Sequence, residues 1–131
     1  MKRLLPILGI GVLLGCGGST APEFDTGCAT STVTLAVSAG VVPTFDWTPG
    51  CAGWDLQVTL GNSSEILWQT LTPLKNELRP PIQYEIHPAG AEDPAQQNAP
   101  PLQPGTTYRG TLYVLSNALG HRIAGQRSFT R

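Results

Sequence analysis

The sequence predicts an all-β fold: one antiparallel β-sandwich of about seven strands, preceded by an N-terminal segment of different character. Three observations carry this expectation. Charged residues make up only 13% of the chain, while glycine and proline together number 27 of 131 residues, a composition rich in corners and poor in helix formers. Apolar and polar residues alternate over short runs bounded by turn formers, which is the period of a half-buried strand. Finally, Leu102-Gln103-Pro104-Gly105-Thr106-Thr107-Tyr108 places a Pro-Gly turn just before an alternating run that opens on tyrosine. A tyrosine there buries its ring and returns its hydroxyl to the preceding corner, a device of β-sandwiches.

The N-terminal segment explains itself first. Met1-Lys2-Arg3 is a short basic stretch, and residues 4–14 are apolar apart from Pro6 and glycines. Eleven residues are too few to span a bilayer, which needs about 20. They suit the core of a secretion signal. The run closes on Leu13-Leu14-Gly15-Cys16, which resembles the lipobox of bacterial lipoproteins. The resemblance implies cleavage before Cys16, lipidation of its thiol and a stable membrane anchor from two or three acyl chains. Gly17 in the next position is not the aspartate that retains such proteins at an inner membrane, so an outer membrane is the expected home where the cell has two. Small and polar residues dominate 17–27, Phe24 being the one exception, with no strand or helix period. They read as a tether with a reach of about 17–20 Å. With Lys2 and Arg3 removed, six basic residues face nine acidic ones. That balance leaves no basic footprint for nucleic acid.

The sandwich is expected over residues 28–131 as a single domain. Residues 32–38 alternate with Val33, Leu35 and Val37 on one face. Residues 42–50 carry Phe45 and Trp47 on one face and end in Thr48-Pro49-Gly50. Residues 53–60 give the cleanest alternation, with Trp54, Leu56, Val58 and Leu60 facing in and Asp55, Gln57 and Thr59 facing out. Residues 65–70 form the next strand, and 82–86 a short one. Residues 87–101 are a fifteen-residue Pro/Ala/Gln stretch, long for a connection inside a domain. It holds either a concealed edge strand or a surface loop. Residues 108–115 and 121–131 complete the set, the last with Ile123 and Phe129 on one face.

A strand ending Trp47-Thr48-Pro49 and the spacing Leu-x-Pro-Gly-Thr-x-Tyr over residues 102–108 resemble fibronectin type III domains. This immunoglobulin-like resemblance covers about 100 residues and departs from the pattern over residues 71–101, where strand membership stays open. It implies that the first two strands run antiparallel, which brings Cys28 beside Cys51. With Cys16 lipidated, these are the two cysteines left to pair in an exported chain. It also implies a binding, spacing or adhesive module rather than an enzyme.

A search for chemistry agrees with that expectation. His87 and His121 stand alone, without further ligands at metal-binding spacing, so no metal and no cofactor are expected. No nucleophile motif of the Gly-x-Ser-x-Gly or Ser-x-x-Lys kind occurs. Asp46, Asp55 and Glu85 fall at outward strand positions, where carboxylates are ordinarily solvated. What remains is surface. Arg109, Tyr113 and Leu115 point outward, and Trp68 lies near an edge. The expected partner is an envelope or surface protein, docking on the sandwich face or on residues 87–101. The alternative is a glycan stacked on Trp68 or Tyr113.

Overall fold

A computed structural model describes residues 27–94, 98–116 and 120–131. The signal, Cys16 and most of the tether lie outside these residues. Seven strands follow one another: β1 (Thr34–Val37), β2 (Thr44–Thr48), β3 (Asp55–Leu60), β4 (Ile66–Leu71), β5 (Ile82–Gln83), β6 (Thr107–Ser116) and β7 (Gly120–Thr130). They form two antiparallel sheets, one ordered β1-β2-β5 and the other β4-β3-β6-β7. The expected sandwich is therefore present. The membership left open by the sequence is settled too, because β4 pairs with β3 on the larger sheet and β5 with β2 on the smaller.

The core lies between the sheets because each strand sends alternate residues inward. Leu35, Phe45, Trp47 and Ile82 come from the smaller sheet, and Leu56, Val58, Trp68, Tyr108, Leu112 and Val114 from the larger. Phe45 stands edge-on to Phe129 at 5.7 Å and stacks with Trp68 at 6.3 Å. Trp47 fills the core as expected and donates its indole N–H to the Cys51 carbonyl at 2.8 Å. The tyrosine corner forms: the Gln103 backbone N–H donates to Tyr108 Oη at 2.7 Å. Gly105 takes φ 73° in the turn before it, a conformation that favours glycine. Arg131 closes the same corner through its guanidinium on the Leu102 carbonyl and its own carbonyl on the Gly105 N–H.

Cys28 and Cys51 form a disulfide with their Cα atoms 5.1 Å apart. Arg122 of β7 clamps the turn next to it. Its Nε donates to the Ala29 carbonyl, and its Nη2 to the carbonyls of Cys28 and Ser31.

Several expectations need correction. Residues 82–86 do not form a five-residue strand. The chain turns after Gln83, with Glu85 at φ 70°, and this lets the Tyr84 ring enter the core while its hydroxyl donates to the Pro100 carbonyl at 2.8 Å. Leu60, expected inside, is 39% exposed at the strand end. Ile123 and Phe129 do not share a face. A bulge in the β6–β7 ladder between Leu112 and Tyr113 adds one residue to β7, and one residue reverses the side-chain alternation. Phe129 thus packs inward and Ile123 points out, 47% exposed. The long 87–101 connection holds neither a full edge strand nor a free loop in its described part. Glu92 makes a two-bond bridge to Leu71 of β4 at 3.0 and 2.7 Å, and Ala91 and Ala99 pack on the core.

Candidate functional site

Four strands and one bulge assemble a cleft on the outer face of the larger sheet. Alternation along β3 sends Asp55 and Gln57 outward. Antiparallel register sets Asp55 between Leu71 of β4 and Tyr113 of β6, and Gln57 between Gln69 and Thr111. The bulge then brings the His121 end of β7 alongside Tyr113. The result is a depression of about 230 Å³ lined by Trp54, Asp55, Gln57, Gln69, Tyr113 and His121.

Its floor is a buried acid. Asp55 is 2% exposed, although it sits on the outer face. Its Oδ2 accepts hydrogen bonds from the side-chain amides of Gln57 at 2.7 Å and Gln69 at 2.8 Å. Its Oδ1 is buried and has no hydrogen-bond partner among the described residues. Burial pushes the Asp55 carboxyl above its ordinary range, and the two amides and His121 offset part of that rise. Burial likewise pushes the Tyr113 hydroxyl up, with the neighbouring Asp55 charge adding to it. The walls are aromatic. The His121 ring lies 5.6 Å from Trp54 and stands edge-on to Tyr113 at 5.8 Å.

This arrangement is built to accept hydrogen bonds. Both glutamines commit their amide nitrogens to Asp55, so they turn acceptor oxygens elsewhere. Among the described residues no lysine or arginine lines the cleft, and neither does a serine or cysteine. Among the described residues no group of three or more His, Cys, Asp or Glu could hold a metal ion. A second depression of about 240 Å³ lies between residues 37–43 and the end of β7. Its one charged side chain, Arg131, is already committed to Leu102.

The residues singled out from sequence fare differently. Tyr113 points outward and is a wall of the cleft. Trp68 does not face a ligand: it is 2% exposed and packs on Phe45, Tyr84 at 5.4 Å and His87 at 5.8 Å. The β4 register opposite Val58 points it into the core, so the expectation of a stacking contact there is withdrawn. Asp55 is not the solvated surface acid expected, because its glutamine and aromatic neighbours close over it. Trp54, expected in the core, is half-buried and walls the cleft instead. His121 lies in β7, within the strand expected over residues 121–131, and joins the cleft rather than standing alone. Cys16 lies outside the described residues. The alternation in residues 53–60 held the signal for Asp55 and Gln57 sharing Tyr113's side of the sheet. The partners from β4 and β7 depend on register and bulge, which leave no mark in a single sequence.

No protein-family model matches the chain, and no curated protein or solved structure does either.

Proposed function

We propose that this chain is a membrane-anchored envelope lipoprotein that acts by binding rather than by catalysis, with a protein partner docking on the outer face of its larger sheet. The observation that carries the reading is the Asp55 cleft, a polar floor within aromatic walls on a sheet face. Its volume of about 230 Å³ suits one inserted side chain better than an oligosaccharide. Exposed Ile123 and half-buried Leu115 extend an apolar rim beside it, of the kind that excludes water around an inserted anchor. The 87–101 connection is a weaker docking surface, since its described part is tied to β4 and the core.

The anchor follows from the lipobox-like Leu13-Leu14-Gly15-Cys16, and the Cys28–Cys51 disulfide suits an exported chain. Lipid on Cys16 and eleven tether residues, 17–27, hold the sandwich close to the membrane surface, the outer membrane where there are two. A glycan is the alternative occupant, favoured by the Trp54 and Tyr113 rings.

In-cell cross-linking of a tagged protein followed by mass spectrometry tests the reading. We expect one dominant partner, lost with Cys16→Ser and lost again with Ile123→Asp on the anchored protein. Recovery of the same partner from the Ile123→Asp form would move the docking surface elsewhere. Saturable glycan binding without any protein partner would replace the reading with the alternative.

A further inference from the structure

The cleft carries a sharper statement, which rests on the docking reading above. Buried carboxylates in folded proteins have their oxygens paired, with hydrogen-bond donors or with a cation. Asp55 departs from this: Oδ2 takes both amide donors and buried Oδ1 takes none. Around it, β4 contributes neutral Gln69, β6 contributes Tyr113, and β7 contributes His121. Among the described residues lining the cleft, no fixed positive charge answers the acid. The indole of Trp54 and the phenol of Tyr113 border the same space, and such rings attract cations.

We infer that the Asp55 cleft is a socket for a primary ammonium group, presented by a lysine side chain of the docking partner, with Asp55 as counter-ion and Trp54 and Tyr113 as walls. An ammonium suits this acid better than a guanidinium. The planar fork of arginine wants both carboxylate oxygens, and Oδ2 is already doubly engaged, whereas an ammonium is a compact point charge that one oxygen can hold. Oδ1 lies below the surface, so the half-buried rings of Trp54 and Tyr113 must yield to admit the group. Protonation of Asp55, which burial favours, removes the counter-ion that His121 of β7 also faces. Binding therefore weakens as pH falls. Tyr113 is the other titratable group facing the acid, and it stays neutral throughout this range.

The test is titration of the full chain in detergent with n-butylammonium chloride, read by tryptophan fluorescence. Trp54 lines the cleft while Trp47 and Trp68 are buried in the core, and Trp54→Phe should abolish the signal. We expect saturable binding by butylammonium and none by n-butanol at the same concentration. Asp55→Asn should weaken it at least about tenfold, which is one strong charge-assisted contact. Tyr113→Leu, which leaves the acid in place, should weaken it about threefold. Affinity should fall as pH drops towards the raised pKa of Asp55. Equal response to butanol, no binding, or undiminished binding by Asp55→Asn would overturn the socket.

A lysine peptide should bind more tightly than its norleucine counterpart. Glucosamine binding more tightly than the lysine peptide would overturn the protein source in favour of an amino sugar. Partner capture in cells separates the two proposals. A partner retained by Asp55→Asn would overturn the socket and leave the module standing; no partner with either form would remove the module itself.

Discussion

Asp55 holds its carboxylate at a cost to the fold. Its pKa is raised above the ordinary value of 3.8, chiefly by burial. A carboxyl that holds its proton more tightly when folded gives stability that is full at low pH. That stability is lost as pH rises past 3.8 and through the raised value. At neutral pH the charged form is therefore a burden, partly relieved by Gln57 and Gln69. Replacing the acid by its amide would keep the shape and an acceptor for those two glutamines without the charge. We expect Asp55→Asn to raise the melting temperature at pH 7 by a few degrees, on the scale of about 1 kcal/mol. The gain should shrink towards pH 4, and melts of both forms across pH would show it. A lowered melting temperature at pH 7 would mean that the carboxylate is a net structural asset. Residue identity alone did not reveal this. Asp55 sits at an outward position in an alternating strand, where an acid is ordinarily wet, and only its neighbours make it dry.

At the scale of elements, alternation made most of the larger sheet legible. Residues 53–60 and 108–115 lie within one or two residues of β3 and β6, because both are long, half-buried and bounded by glycine or proline turns. Where a strand is short or its count is broken, the pattern misleads. The β5 run stops at Gln83 since Tyr84 satisfies its hydroxyl at Pro100 rather than following the ladder. The β7 run changes face at its bulge, which is why simple alternation puts Ile123 with Phe129 and the structure does not. Contact between the two sheets is close at Gly110 of β6, where an added Cβ would lie 2.8 Å from Phe45 Cε1 and 3.3 Å from Leu35 Cδ2. Phe45 is wedged between Trp68 and Phe129 and has no room to yield. Gly110→Ala should cost about 1–3 kcal/mol by overpacking. That corresponds to a drop of about 4 °C or more in thermal melts. Gly50→Ala, whose Cβ would meet nothing nearer than 3.8 Å, should leave the melt nearly unchanged.

For the molecule as a whole, the sandwich could be read from composition, alternation and turn chemistry, and the Cys28–Cys51 pair from cysteine arithmetic together with the strand arrangement that the family resemblance implies. The cleft could not, because it joins side chains from four strands whose register is a property of the closed sheet. The turn at Cys28 has a further meaning once the chain is regarded as a mechanical object. A pull arriving from residues upstream of Cys28 does not peel β1 away. It passes through the disulfide straight to Cys51, while Arg122 rivets the 28–31 turn to β7. The loop between the cysteines, a sequence separation of 23, stays folded back on itself even after the sheets part. Stretching single oxidised molecules should therefore release about 80 Å less chain than stretching reduced ones, at about 3.5 Å per residue. Equal extensions would show that the bridge is open under load. A force applied upstream of Cys28 thus meets a covalent rivet before it can unzip β1 from β2.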